Sequence, residues 1–354
     1  MPPKKDKADN TAMRELKRAI KEGAPKKLYL FHGEEAFLRD YYLGQLKQAL
    51  LPAGLEEFNL HAAQGKDCSV DWIEQAADCL PMMSGRTLVI VTDFDLYGLG
   101  EKPRERLVKV LEELPDYCCM VFVYDLLPYK ADGRSKLAGL LKREGAVVDF
   151  QRQSQGDLTD WICRQFKKAG KGVDTEDARY LIFLCGDLMN TLSAEIAKIA
   201  AYSPHTRVTR EDMDAVTIPQ IDAVVFQMTD AMARKDFDKA ASVLADLLHS
   251  QQPPIMILAA MGKYFRQLYT ARLYLDRGKG RGEFMELWGM KSGYQADKLM
   301  DAARRFSLPW CRYAVGRCAQ ADIELKSSYG QERELLTGLL MELASGRRAA
   351  VTFS

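Results

Sequence analysis

The chain has few of the residues that build metal and redox centres, and those it has are scattered. Only four histidines are present, at widely separated positions. The eight cysteines, none of them in a CxxC pair, are Cys68, Cys79, Cys118, Cys119, Cys163, Cys185, Cys311 and Cys318. Structural zinc requires ligands in close pairs, so the usual zinc sites are excluded. Because most of these thiols lie in apolar stretches, we expect buried free cysteines in a reducing compartment, with no metal and no disulfide.

Long hydrophobic runs and an excess of one charge are also missing. No apolar run approaches the roughly 18 to 20 residues that a membrane span requires. The first residues are rich in proline, lysine and aspartate and contain no apolar stretch, so we expect no signal peptide and a cytoplasmic protein. The 50 Lys and Arg residues balance 49 Asp and Glu residues, which leaves a net charge of +1. A strongly basic field for nucleic-acid binding is therefore excluded.

A phosphate-binding loop is absent from the place where the sequence would put one. Residues 28–33 predict a buried strand that ends at Gly33, and residues 35–51 predict a helix. In a P-loop, a second glycine, a lysine and a hydroxyl residue would follow at fixed spacing. Counted from Gly33, these three positions are occupied by Leu38, Arg39 and Asp40. The setting of a P-loop is present, but its residues are not.

The residues in this loop would also repel a nucleotide. A phosphate cradle needs closely approaching backbone N–H groups and a positive local field. Leu38 adds a side chain where only hydrogen fits, and carboxylates stand nearby at Glu34, Glu35 and Asp40. We therefore expect a nucleotide-binding type of fold that binds neither nucleotide nor any other cofactor.

Other catalytic patterns are equally hard to find. Asp93 and Asp95 follow a predicted strand and could be the remnant of a Mg²⁺ site. Aspartates are also ordinary turn formers, and without a phosphate loop we favour this structural interpretation. The chain has no Gly-x-Ser-x-Gly elbow and no recognisable cysteine or histidine constellation. No catalytic activity is expected.

Strands and helices alternate between residues 26 and 151. The predicted strands are Leu28–His32, Phe58–His61, Thr87–Thr92, Cys118–Tyr124 and Ala146–Phe150. The central strands are almost continuously apolar, as in a parallel sheet that is covered on both faces. This predicts a doubly wound α/β domain.

Only helical patterns follow Phe150. They predict a small helical domain at residues 152–217 and, after a linker near Pro219, an all-α domain at residues 218–345. Residues 1–25 are predicted to be a tail and an N-terminal helix, and residues 346–354 a second tail. The glycine-rich stretch at residues 278–282 follows no apolar strand, so we interpret it as a connection between helices.

One connector is unusually apolar. Leu80, Pro81, Met82 and Met83 join a predicted helix to the predicted strand Thr87–Thr92, where a surface connection would normally be polar. Exposed leucine and methionine are typical of a protein-binding surface. Each such side chain contributes roughly 1.5–3 kcal/mol when a partner buries it. The alternative is that Met82 and Met83 pack beneath the sheet, and the residues alone slightly favour that alternative.

Eight segments distributed along nearly the whole chain occur in the order and spacing of a known family, although none of them is diagnostic alone. They are residues 30–38, 80–91, 132–137, 145–148, 186–188, 225–231, 264–268 and 321–326. Together these segments resemble the delta subunits of bacterial DNA polymerase III.

The resemblance implies an AAA+-like α/β domain that neither binds nor hydrolyses ATP, a small helical lid-like domain and a C-terminal helical collar domain. It implies a non-catalytic subunit of the polymerase holoenzyme, located at the replisome on the nucleoid. Such a subunit binds the sliding clamp (the beta subunit) and opens it for loading onto primed DNA. Its collar holds the gamma/tau and delta-prime type subunits, primer-template DNA passes the assembled complex, and no membrane is involved.

The family's clamp-contacting element corresponds to Leu80, Pro81, Met82 and Met83, with methionine in place of the usual aromatic residue. The resemblance therefore favours clamp binding over burial for this segment. Three alternatives are kept: a divergent P-loop ATPase that uses Arg39 instead of lysine, a helical adaptor without clamp-opening activity, and a relative from another position of the same pentamer. Such relatives usually carry a Ser-Arg-Cys motif or zinc-type cysteines, and the sequence has neither.

Overall fold

A computed structural model describes residues 9–130, 133, 135–250, 252–290, 293–327 and 330–345. The chain divides into two compact units, an α/β unit (Met1–Gln153) and a helical unit (Ser154–Ser354). The predicted tail residues 1–8 and 346–354 lie outside the described residues, as do Asp132 and Arg134 of one family-like segment. Among the described residues, no helix is both long enough and apolar enough to cross a membrane.

The α/β unit contains five strands and six α-helices among its described residues. The strands are β1 (Leu28–His32), β2 (Leu60–Gln64), β3 (Thr87–Thr92), β4 (Cys118–Val123) and β5 (Ala146–Asp149). The helices are α1 (Asp9–Lys21), α2 (Ala36–Leu50), α3 (Glu56–Asn59), α4 (Val70–Asp78), α5 (Glu101–Glu112) and α6 (Lys136–Arg143). All strands pair in parallel, in the order β2-β3-β4-β1-β5.

The sheet is covered on both faces, as predicted. Helices α4, α5 and α6 pack on one face, and α1 and α2 pack on the other. Every residue of the central strand β4 is buried, and its side chains alternate between the two cores. Cys118 faces the first core and Cys119 the second, so burial raises the pKa of the Cys118 thiol to about 11. Six of the eight cysteines are buried, which confirms that prediction for most of them.

The predicted strand Phe58–His61 is wrong in position. Phe58 and Asn59 belong to the short helix α3, and β2 begins only at Leu60. Glu56 and Glu57 lie in the first helical turn, where carboxylates are favourable. The strand residues Ala62 and Ala63 have little strand propensity, and pairing with β3 along its length decides their conformation.

The helical unit contains only α-helices as regular elements among its described residues. They are α7 (Gln155–Lys168), α8 (Thr175–Cys185), α9 (Met189–Tyr202), α10 (Arg210–Val216), α11 (Ile221–Ala233), α12 (Phe237–His249), α13 (Pro254–Asp276), α14 (Arg281–Trp288), α15 (Gly293–Ala303), α16 (Leu308–Ser327) and α17 (Glu332–Ser345). The predicted boundary between residues 217 and 218 stays a prediction.

The core of the helical unit is built around α13. Ile257, Met261 and Phe265 follow one another at four-residue spacing and are fully buried. Small residues of α16, including Ala314 and Ala321, are buried in the same core and let the two helices approach closely.

Helix α14 was not predicted, because its glycine-rich start indicates a connection. Glu283 accepts a hydrogen bond from the Gly280 N–H at 3.2 Å, and Phe284 is fully buried. Tertiary burial of one aromatic side chain therefore stabilises a helix whose local sequence is weak.

Candidate protein interface

The apolar segment at residues 80–83 follows α4 and leads into β3. Leu80 is 71% exposed, Met82 is 56% exposed and Met83 is 88% exposed, while Pro81 is half-buried. The alternative in which Met82 and Met83 pack beneath the sheet is therefore wrong. Within the α/β unit, three large apolar side chains face solvent at neighbouring positions.

The backbone of this segment is held by side chains on both sides. The Met82 N–H donates to Asn59 Oδ1 at 2.7 Å, and Asn59 Nδ2 donates to the Met82 carbonyl at 2.9 Å. Downstream, Ser84 Oγ accepts from the Arg86 N–H at 3.3 Å and donates to the Arg86 carbonyl at 3.0 Å. Exposed side chains are thus presented on a fixed backbone.

Helix α4 provides a firm base for the segment. Ser69 caps its first turn by accepting from the Trp72 N–H at 3.1 Å. Ile73, Ala76 and Ala77 bury its apolar face against β3 and β4. The position of the segment therefore depends on packed secondary structure, which places it more accurately than a free loop would.

The predicted degenerate phosphate loop is filled by the polypeptide itself. Gly33 has φ +124°, and a Cβ at this position would lie 2.5 Å from the Phe150 carbonyl oxygen. The Phe150 N–H donates to the His32 carbonyl at 2.7 Å, and the Glu35 N–H donates to the Phe150 carbonyl at 2.9 Å. Gly33 is thus needed for the close approach of the chain that leaves β5.

Arg39, at the position of the P-loop lysine, is buried and engaged by the protein. Its guanidinium donates to the Tyr124 carbonyl at 3.2 Å and forms ion pairs with Asp125 and Asp40. These contacts join α2 to the end of β4. Leu38 packs, partly buried, against the core formed with α1 and α2, and the Asp40 carboxylate is largely exposed. The Arg39 guanidinium therefore does not face solvent, where a phosphate-binding cation would be needed.

The aspartates after β3 hold backbone groups. Asp93 Oδ1 accepts from the N–H groups of Asp125, Leu126 and Leu127 at 2.9, 2.9 and 3.1 Å. Asp95 Oδ1 accepts from two further N–H groups, at 3.2 and 3.0 Å. In the part of the chain that the structure describes, no group of three or more His, Cys, Asp or Glu residues could hold a metal ion. These bonds support the structural interpretation of Asp93 and Asp95.

Asp93 gives a prediction for the pH dependence of stability. Burial acts to raise the pKa of its carboxyl, but the three N–H donors outweigh burial and lower that pKa. The Asp93 carboxylate therefore stabilises the fold fully at pH values above the ordinary Asp pKa of about 3.9. This contribution is lost as pH falls through the lowered pKa of the folded state. We expect Asp93→Asn to lower the free energy of unfolding by about 1–2 kcal/mol at pH 7.

Urea unfolding at a series of pH values measures this effect, and hydrogen exchange of β4 amides assigns the transition to the α/β unit. The difference between Asp93→Asn and the unsubstituted chain should be constant above about pH 5 and shrink below about pH 4. Asp67→Asn, at an exposed position, is the control. A difference that does not depend on pH would contradict the proposed role of the charge.

Comparisons with known proteins match most of the length of this chain. The family model described as "DNA polymerase III, delta subunit" matches residues 29–151, and the model of the "DNA polymerase III delta subunit, C-terminal domain" matches residues 222–343. DNA polymerase III subunit delta of Bacillus subtilis is 24% identical over 333 residues, which cover 92% of this chain and 95% of that protein. The probable delta subunit of Aquifex aeolicus is 24% identical over 277 residues, covering 76% of this chain and 77% of that protein.

A solved structure shows the same fold. The DNA clamp loader delta protein of Bacillus subtilis superposes with a TM-score of 0.55 at 22% sequence identity, covering 94% of this chain and 99% of that one. The predicted fold class, a doubly wound parallel sheet followed by helices, is confirmed. Its AAA+-like character stays a prediction.

Proposed function

The chain belongs to the family of DNA polymerase III delta subunits, and from this premise we propose that it binds the sliding clamp and opens it for loading onto primed DNA. The observation that carries the proposal is the exposure of Leu80, Met82 and Met83 on a hydrogen-bonded backbone. Soluble proteins rarely leave clustered apolar side chains in water unless a partner covers them. Methionine side chains suit this role because they adapt to an irregular pocket.

The mechanism proposed is mechanical. Side chains of the apolar segment enter a pocket on the clamp near a subunit interface, and they fit this pocket better when the interface is open. The clamp equilibrium shifts towards the open ring only by the difference in affinity for the two states. The chain needs no chemistry of its own for this step.

The other parts of the molecule fit a non-catalytic subunit. Arg39 and Gly33 serve the fold, so ATP binding is assigned to neighbouring subunits of the gamma/tau type. Residues 218–345 would form the collar that holds these neighbours and a delta-prime type subunit. Primer-template DNA would then pass the assembled loader at the replisome, in the cytoplasm.

The first test is binding of the clamp by the whole chain in the absence of nucleotide. We expect a pull-down to retain the clamp, and we expect no Mg²⁺-dependent binding of ATP. The double variant Leu38→Gly/Arg39→Lys restores two of the three missing P-loop residues but should not bind ATP either, since Gly33 and the Phe150 backbone fill the loop.

An ATPase subunit of a clamp loader serves as the positive control for nucleotide binding. Saturable binding of ATP by the unsubstituted chain would instead favour the divergent P-loop ATPase. Failure to retain the clamp would leave the adaptor alternative.

A further inference from the structure

We propose that Asn59 is a positioning residue for the clamp-binding segment: its side-chain amide fixes the Met82 backbone, and so sets the direction of Leu80, Met82 and Met83. This inference rests on the proposed function and adds a residue outside the apolar segment. Asn59 lies at the end of the short helix α3 and is fully buried.

Two hydrogen bonds of the Asn59 side chain support this role. Oδ1 accepts from the Met82 N–H at 2.7 Å, and Nδ2 donates to the carbonyls of Met82 at 2.9 Å and Leu55 at 3.0 Å. Because Oδ1 meets a donor and Nδ2 meets two acceptors, the orientation of the amide is fixed by its neighbours. The Asn59 side-chain amide thus satisfies both the N–H and the carbonyl of Met82, as the backbone of a neighbouring strand would.

The backbone that follows needs such a support. Met83 adopts φ +53°, a left-handed conformation that is unfavourable for a residue with a side chain. Such a conformation persists only when the surrounding contacts determine it. The double hydrogen bond to the preceding residue supplies that determination and reduces the freedom that clamp binding would otherwise have to remove.

The test measures the clamp dissociation constant of the full chain for the variants Asn59→Leu and Asn59→Asp. Leucine has the same branching and number of side-chain heavy atoms but is larger and has no polar atoms, and we expect it to weaken binding about tenfold at every pH. An ionised carboxylate cannot donate to the Met82 carbonyl, whereas a protonated carboxyl has one donor and one acceptor. For Asn59→Asp we therefore expect a similar loss at about pH 8, which diminishes when the pH is low enough to protonate the introduced carboxyl.

All affinities are expressed relative to the unsubstituted chain at the same pH. Asn190→Asp, the same chemical change at an exposed position of α9, is the matched control and should leave clamp binding unchanged. Wild-type affinity in both Asn59 variants would overturn the inference. So would a loss in Asn59→Asp that persists after the carboxyl is protonated, because packing alone would then explain it.

Hydrogen exchange of the unsubstituted chain provides a second measurement that does not depend on the folding of a variant. The Met82 N–H should exchange at least roughly tenfold more slowly than in an unstructured peptide, although its side chain is exposed. Exchange at the peptide rate would overturn the inference. If clamp binding depends on Met82 and Met83 but is unchanged in the Asn59 variants, only this inference fails. If it does not bind the clamp, the proposed function and this inference fail together.

Discussion

Replacing Met82 and Met83 together by serine is expected to weaken binding of the sliding clamp by about a hundredfold or more. Each methionine contributes roughly 1.5–3 kcal/mol when a partner buries it, and every 1.4 kcal/mol changes a dissociation constant about tenfold. Both side chains are exposed, so the substitutions remove no core contact of the α/β unit. The melting temperature of the double variant should therefore match that of the unsubstituted chain, while its clamp affinity falls.

The matched control replaces two exposed methionines elsewhere. Met256 is 53% exposed and Met341 is 65% exposed, and both belong to the helical unit. The double variant Met256→Ser/Met341→Ser loses the same chemical groups from the surface but should retain clamp affinity. Titration of the clamp with each variant, without nucleotide, measures the difference. Equal affinities for the two double variants would remove the proposed interface and favour the adaptor alternative.

Comparison of the two double variants also distinguishes specific clamp binding from non-specific hydrophobic association. If exposed methionine bound the clamp non-specifically, both double variants would lose affinity in proportion to the exposed area removed. A loss confined to Met82 and Met83 requires a defined surface. Substitution of Leu80, which is 71% exposed, should then weaken binding in the same direction.

The parts of the fold that the sequence predicts well are those in which local pattern and tertiary environment agree. Strand β4 is continuously apolar in the sequence and buried at every residue in the structure. At the phosphate-loop positions, Leu38 and Asp40 argue against phosphate binding on chemical grounds alone, and this stays a prediction. What the sequence could not reveal is the use of Arg39, because its partners Tyr124 and Asp125 are more than eighty residues away along the chain.

The exposure of the apolar segment likewise could not be predicted from its residues alone. Met82 and Met83 would look the same in a core or at an interface, and only the resemblance to a family favoured the interface. The role of Asn59 was hidden for a related reason. Asn59 stood within a predicted strand, whereas it lies at the end of α3, with its partner Met82 contributed by another connection of the fold. Only long-range pairing places the amide beside that backbone.

Gly33→Ala is expected to destabilise the α/β unit by more than about 3 kcal/mol. The substituted Cβ would lie 2.5 Å from the carbonyl oxygen and 2.6 Å from the nitrogen of Phe150, both of which are backbone atoms that cannot rotate away. The φ of +124° is itself strained for any residue with a side chain. Urea unfolding gives the loss in free energy, and hydrogen exchange of β1 and β5 amides locates it.

Gly44→Ala is the control in the same unit. Gly44 lies within α2, and an added Cβ meets no atom within 4 Å, so alanine should stabilise the helix by about 0.5–1 kcal/mol. The two substitutions add the same methyl group and should act in opposite directions. In an ATP-binding loop, the first glycine would be needed for phosphate, and its replacement would mainly reduce nucleotide affinity. If Gly33→Ala lowers the free energy of unfolding by less than about 1 kcal/mol, the structural role of Gly33 is contradicted. The loop would then have room to relax around a ligand.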